Sequence, residues 1–290
     1  MAQSLSATAG SEIERVTRLC QRLEFFVSQP PLKVRALSHG ESNQSYYVKT
    51  AQAEYVLRCY PLASAVCRQQ ELRCQHAAAA KGLAPAPLCL NNHYQVMLSD
   101  YIADGVAYDY AVHGLPLLLS ALARFHQLSV QTPVLDCVLY LRQLVAALPA
   151  GTVADPVLLR AITDAAEQLQ YFDADRVLCH LDLHAGNLLV AAGRLWLLDF
   201  EYSQLADSSL DLAAMCLHFN LTAAQQQRLL ADYIALRRQT ELNTTLPAKL
   251  TLAKCVYSGF CWLWYLAQPG YSLQAQQWQQ RLQQLTGEGL

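Results

Sequence analysis

Cys179-His180-Leu181-Asp182-Leu183-His184-Ala185-Gly186-Asn187, followed by Leu198-Asp199-Phe200-Glu201-Tyr202, says more about this chain than any other stretch. Asp182 and Asn187 are five residues apart, each flanked by apolar strand-like residues, and Asp199 follows on a second apolar run. That spacing suits phosphoryl transfer. Asp182 can accept the proton of an attacking hydroxyl, while the Asn187 amide oxygen and the Asp199 carboxylate can hold magnesium ions that neutralise nucleotide phosphates. A lone loop Asp is common in turns, and a lone Asn often caps a turn, but the three residues together at matched spacing outweigh those readings.

Outward from this stretch the chain changes character twice. Ile13 to Val27 repeats apolar residues at helical spacing and stops before Pro30-Pro31, which predicts an N-terminal helix. Three short β-branched or alternating runs follow, at Lys33–Leu37, Ser45–Lys49 and Tyr55–Arg58, the first two joined by a turn-rich loop. Ala63 to Lys81 predicts a helix with Glu71 in its middle, and Gly82 stands at a C-cap position. Pro85 and Pro87 break the chain before a strand near Tyr94–Leu98, and Asp100 to Gly105 is a connector. Helices then dominate. They are expected at Gly114-Pro116 to Leu128, Leu135–Leu148 and Pro156–Phe172, and after the motif strands at Ser209–Phe219, Thr222–Arg238, Pro247–Leu266 and Leu273–Leu285. The expected class is α+β: a small β-sheet N-lobe with one helix over residues 1–100, and a larger, mostly helical C-lobe over 101–290.

Composition sets limits on function. Among 290 residues, 53% are apolar and 15% charged, with a formal net charge of -2, so a general nucleic-acid surface is not expected. The ten cysteines are scattered without a C-x-x-C pair, which speaks against both a zinc site and a disulfide framework. Reduced thiols in a cytoplasmic protein are the expectation. Met1 to Glu14 has no basic n-region and no apolar h-region, so no signal peptide is expected. The most apolar run, Leu115 to Ala123, is far short of the ~20 residues of a membrane span.

The order of these features resembles the superfamily of choline kinases, thiamine kinases and aminoglycoside phosphotransferases, whose members have a protein-kinase-like bilobal fold. The resemblance is carried by His180-x-Asp182-x-x-x-x-Asn187, by Leu198-Asp199-Phe200-Glu201-Tyr202 and by Leu210-Asp211-Leu212-Ala213. The Asp-Phe-Glu-Tyr string looks most like the choline and thiamine kinase branches, and His-Ala-Gly-Asn particularly like thiamine kinase. The resemblance implies ATP as donor, with GTP left open, and Mg2+ as cofactor. Asp182 is then the base or orienting carboxylate, Asn187 and Asp199 are metal ligands, and His180 braces the loop. Asp211 supports it. Glu201 is either a surface residue or helps to place metal or substrate. Arg58 lies where protein kinases use Lys, with Glu71 thirteen residues on, and such a pair would hold the nucleotide phosphates. Gly40, Ser42 and Asn43 resemble the nucleotide loop of choline kinases, although the repeated glycines of a G-x-G-x-x-G loop are missing.

The acceptor is expected to be a small alcohol. Asp199 and Asp211 are only twelve residues apart, with no Ala-Pro-Glu string, which leaves little room for a protein kinase's activation loop. A pseudokinase acting as an interaction module should have lost one of Asp182, Asn187 and Asp199, and all three are present. Beyond Asn220 the chain offers only Asp232, Glu241 and Glu288 as acids, too few for a polycationic aminoglycoside. The same region is rich in aromatic residues, among them Trp262 and Trp264, whose faces could attract a compact cation such as choline or thiamine. At helical spacing these aromatics equally describe a core stripe. His218 stands where choline and thiamine kinases tend to carry Glu, which leaves the acceptor unnamed.

Overall fold

The computed structural model describes residues 2–37, 43–61 and 66–287. In chain order the first elements are α1 (Ala2–Arg22), β1 (Lys33–Ala36), β2 (Gln44–Lys49), β3 (Glu54–Cys59), α2 (Arg68–Ala79), β4 (Pro87–Asn91), β5 (Val96–Asp100) and β6 (Val106–Ala107). Next come α3 (Tyr110–Phe125), α4 (Cys137–Ala146), α5 (Pro156–Leu169), β7 (Arg176–Cys179), β8 (Leu188–Ala191) and β9 (Arg194–Leu197). The chain closes with β10 (Gln204–Asp207), α6 (Ser209–His218), α7 (Ala223–Arg237), α8 (Leu246–Ala267) and α9 (Ser272–Gly287). Two compact units result: Met1–Ala107 with Leu189–Glu201, and Tyr108–Leu188 with Tyr202–Leu290.

The first unit is built on a five-stranded antiparallel sheet of order β1-β2-β3-β5-β4, with a second small sheet of order β6-β8-β9. Alternation along β2 and β3 sends Tyr46, Val48, Tyr55 and Leu57 to one face, where they pack with Val16, Cys20, Leu23 and Phe26. The neighbouring positions, Arg58 among them, point to the opposite face. The N-terminal helix expected at Ile13–Val27 begins at Ala2 and ends at Arg22, with a single 3-10 turn over Glu24–Phe26, and two further details differ from the sequence expectations. Pro87 opens a strand instead of ending one, because β4 is the edge of the sheet, where a missing N–H costs no ladder bond. The strand expected from Tyr94 starts at Val96, since Asn91 Oδ1 accepts from Tyr94 N and Gln95 takes a left-handed φ of 52° in the turn before it.

The second unit is mainly helical, with β7 and β10 forming a two-stranded antiparallel ladder. Its helix starts are written in capping chemistry. Asp155 accepts from Val157 N and Leu158 N ahead of Pro156, and Thr222 and Gln225 form a reciprocal capping box. The helix expected from Gly114 is entered earlier, at Tyr110, but Gly114 is non-helical (φ 71°, ψ 161°) and breaks the run before Pro116. Helix α8 lies against α5 closely enough that a Cβ on Gly259 would stand 2.9 Å from Ile162 Cγ2. Among the described residues, no helix is long and apolar enough to cross a membrane. All ten cysteines are free thiols, and only Cys67 is exposed.

Candidate functional site

In the first unit, Arg58 on β3 and Arg68 and Glu71 on α2 converge with Asp199 and Glu201. Residues three apart share a helix face, so Arg68 and Glu71 are presented together. The fully buried Glu71 carboxylate accepts from Arg58 Nη1 at 2.9 Å and Tyr60 OH at 3.1 Å on one oxygen, and from Arg68 Nη1 at 2.9 Å on the other. Arg58 Nη1 also donates to Asp199 Oδ1 at 2.9 Å, and Arg68 Nη1 to Glu201 Oε2 at 3.0 Å. Asn43 Nδ2 reaches the same Glu201 oxygen at 3.1 Å. The Arg68 guanidinium lies 3.7 Å over the Tyr60 ring. Buried charges persist only when paired in this way. Burial works against the Arg58 charge, but the Asp199 and Glu71 carboxylates outweigh it and raise its pKa.

Asp199 adopts a left-handed φ of 62°, an unfavourable conformation for a non-glycine residue that concentrates at functional sites. Arg58, Glu71, Asp199, Glu201 and Asn43 were all candidates from sequence and meet in one cluster. Arg68 was not among them, since a lone Arg in a helical run carries no signal that separates it from a solvated face. Gly40 and Ser42, the other nucleotide-loop candidates, lie outside the described residues.

In the second unit, β7 delivers the chain to His180 and a loop whose backbone is held by Asp211. The buried Asp211 carboxylate accepts from His180 N at 2.7 Å and Leu181 N at 2.8 Å, and contacts His126 Nε2 at 3.0 Å. Charge-assisted bonds of this kind contribute about 1.5–3 kcal/mol each, enough to offset the left-handed φ of 66° at Leu181. Behind Asp211, His126 Nδ1 meets Tyr233 OH at 2.7 Å, and Arg237 donates to Tyr233 OH and to Asp175. His126, Cys179 and Asp211 are the one group of metal-ligand type among the described residues. Their donors are committed elsewhere: Asp211 to the loop amides, while burial pushes the Cys179 thiol well up.

On the loop itself, Asn187 Nδ2 donates to Asp182 Oδ2 at 2.6 Å and to Asp182 O at 3.0 Å. Facing two oxygens, that end of the amide must be the nitrogen, which leaves Asn187 Oδ1 as the free-facing acceptor. His184 Nδ1 accepts from Gly186 N at 3.1 Å, so its proton is on Nε2, 3.5 Å from Asp182 Oδ2. A side chain at position 186 would collide with this imidazole, because a Cβ there would be 2.8 Å from His184 Cε1. Burial alone would raise the Asp182 pKa. The hydrogen bond from His184, with the electrostatic pull of the His184, His180 and His218 rings, holds it below the usual carboxylate range instead.

A run of rings leads away from this carboxylate. His218 packs 5.7 Å from His184, 5.8 Å from Tyr257 and 5.3 Å from Trp278, and its Nε2 is 3.1 Å from Tyr257 OH. Burial, with the nearby His184, pushes the His218 pKa down to about 4. Arg281 lies 4.9 Å over Trp278 and donates to Leu217 O and Asn220 Oδ1 at the end of α6. The two tryptophans picked from sequence are placed differently. Trp262 is 1% exposed, a core side chain of α8 with no face open to a ligand, and Trp264 packs edge-on to Tyr265 and Tyr271. His218, Tyr257 and Trp278 gather beside Asp182 instead. They come from three helices, and periodicity within any one of them could not announce their meeting.

Residues 33–243 match the phosphotransferase enzyme family. No curated protein matches the chain significantly by sequence. Among solved structures, choline kinase LicA from Streptococcus pneumoniae superposes with a TM-score of 0.78 at 18% identity, covering 93% of this chain and 99% of that one. A choline/ethanolamine kinase family protein from Mesorhizobium loti gives 0.77 at 17% identity, covering 94% of each chain. Aminoglycoside phosphotransferase APH(4)-Ia, in a thermostable mutant bound to AMP-PNP and hygromycin B, gives 0.65 at 17% identity, covering 90% of this chain and 96% of that one. At these identities the likeness is one of fold, a small antiparallel sheet unit with a larger helical one. The family match spans most of the chain: it belongs to the phosphotransferase enzyme family and is a kinase-like phosphotransferase.

Proposed function

We propose that this protein transfers the γ-phosphoryl group of ATP to the hydroxyl of a small alcohol. The observation that carries the reading is the Asp182–Asn187 pair, in which the amide nitrogen fixes the carboxylate at 2.6 Å while the amide oxygen is left for another partner. Asp182, ionised at neutral pH, orients the acceptor hydroxyl and takes its proton. His180 and Asp211 hold the loop that presents it. Arg58, anchored by Glu71, is the cation for the nucleotide phosphates. The nucleotides in the LicA complex with AMP and in the aminoglycoside phosphotransferase complex with AMP-PNP support a nucleotide donor.

Asn187 and Asp199 each offer an oxygen donor of the kind that Mg2+, a hard cation, prefers. Mg2+ held by such donors would supply charge neutralisation for the phosphates. For the acceptor, a compact monocation such as thiamine or choline is favoured over a polycationic aminoglycoside. The charged groups that act on His218 are His184, Asp182 and Arg281, with Asp182 the carboxylate among them. One carboxylate suits one positive charge at most.

The test is an ADP-release screen over thiamine, choline, ethanolamine, homoserine, short sugars and an aminoglycoside, run with wild type and Asp182→Ala. The variant should bind nucleotide as wild type does and lose roughly three or more orders of magnitude in turnover. Undiminished turnover in Asp182→Ala would refute the assignment, and a preference for aminoglycosides would refute the acceptor class.

A further inference from the structure

Within the ion-pair cluster of Arg58, Arg68, Glu71, Asp199 and Glu201, Arg68 is the guanidinium to which phosphoryl transfer assigns no task. Its side chain is only 9% exposed, and its Nη1 is shared between Glu71 at 2.9 Å and Glu201 at 3.0 Å. Arg58 makes the parallel connection, from Glu71 to Asp199. Each carboxylate of the Asp199–Glu201 segment is therefore held by its own guanidinium, and both guanidiniums hang from the same buried Glu71. A divalent cation that binds Asp199 Oδ1 or Glu201 Oε2 displaces the N–H donors that hold those oxygens. A displaced guanidinium needs another anion, because a buried charge left without its partner is costly. Nucleotide phosphates are such anions, and the planar guanidinium fork matches them.

We infer that Arg68 is a positioning residue that makes divalent-cation binding depend on bound nucleotide, keeping Glu201 paired until a phosphate offers the guanidinium another partner. This rests on the proposed metal role of Asp199. Charge balance gives the direction of the effect. Glu71, Asp199 and Glu201 carry three negative charges against two positive ones from Arg58 and Arg68, an excess of one. Without Arg68 the excess is two, which strengthens attraction for a free divalent cation. The pair that nucleotide has to relieve is then gone as well, so the coupling shrinks from both sides of the cycle.

The experiment is Mn2+ binding to the full chain, followed by electron paramagnetic resonance and water-proton relaxation with and without AMP-PNP. Neither readout requires turnover. Wild type should bind Mn2+ at least about tenfold more tightly in the presence of AMP-PNP, a typical size for coupled sites. Arg68→Met should bind Mn2+ alone roughly tenfold more tightly than wild type, and its gain from AMP-PNP should fall by a similar factor. Arg68→Lys, which keeps the charge, should stay within about threefold of wild type. If Arg68→Met does not fold, Arg68→Gln serves the same comparison, keeping a donor without the charge. A folded Arg68→Met no tighter for Mn2+ than wild type would overturn the inference, as would Arg68→Lys matching Arg68→Met. Wild type that forms no complex with Mn2+ and AMP-PNP would instead overturn the metal reading beneath it.

Discussion

His218 makes the second unit sensitive to acid, and the size of the effect follows from its surroundings. Its ring sits among His184, Tyr257 and Trp278, with Asp182 and Arg281 as the other charges that reach it. Burial lowers its pKa from an ordinary 6.5 to about 4, so the folded protein keeps it neutral where the unfolded chain would protonate it. With a depressed folded value, the stabilisation is present above pH 6.5 and is lost as pH falls toward 4. Between pH 7 and pH 5 the linkage relation for these two values gives a loss of about 2 kcal/mol, approaching about 3 kcal/mol below pH 4. His218→Gln has no proton to gain and keeps an amide for Tyr257 OH. Urea unfolding monitored by tryptophan fluorescence, at pH 7 and pH 5, should show wild type losing about 2 kcal/mol more than the variant over that interval. Parallel pH profiles for the two proteins would refute the argument, since every other titrating group is common to both.

Three further outcomes follow from the same geometry. Asp211→Asn keeps the volume but turns one acceptor into a donor against the His180 or Leu181 amide or His126. It should cost about 3–5 kcal/mol in chemical denaturation, and turnover of the surviving folded fraction should fall as Leu181 is released. A variant as stable as wild type would contradict the support assigned to Asp211. Gly259→Ala should destabilise by about 1–3 kcal/mol, read as a lower melting temperature, because its Cβ meets Ile162 at 2.9 Å; Ile162→Val on the same background should recover part of the loss. A thiol reagent in excess should modify Cys67 first in the native protein, since it is the one exposed cysteine of ten, and mass spectrometry that finds Cys179 labelled early would contradict its burial.

How much of this was legible in the sequence depends on the range of the interaction involved. Asp182 and Asn187 are five apart on one loop, so their pairing is a local event that spacing can announce. Arg58 and Glu71 are thirteen apart on consecutive elements, and alternation on β3 with the position of Glu71 in its helix suffices to suggest their meeting. Long-range consequences were hidden. Arg68 reaches Glu201 across 133 residues from a polar helical run, where one more charge resembles a solvated face, and His126 reaches Asp211 across 85 from the end of an apolar one. The rings of α8 show the same limit from the opposite direction. Tyr257, Trp262 and Trp264 share α8 and a common aromatic pattern, yet one joins the group next to Asp182, one is sealed in the core and one packs with Tyr265 and Tyr271. Their separation is set by which face of α8 each occupies and which helix covers that face, quantities that periodicity constrains only as a set. Backbone strain was equally out of reach. Leu181, next to Asp182, and Asp199 itself are left-handed, and at Leu181 the offsetting bonds come from a residue 30 positions away. The motif therefore specifies which groups are proposed to do the chemistry, while buried polar partners far along the chain specify how rigidly the groups are held. Those partners are where substitutions without any contact to substrate should lower turnover.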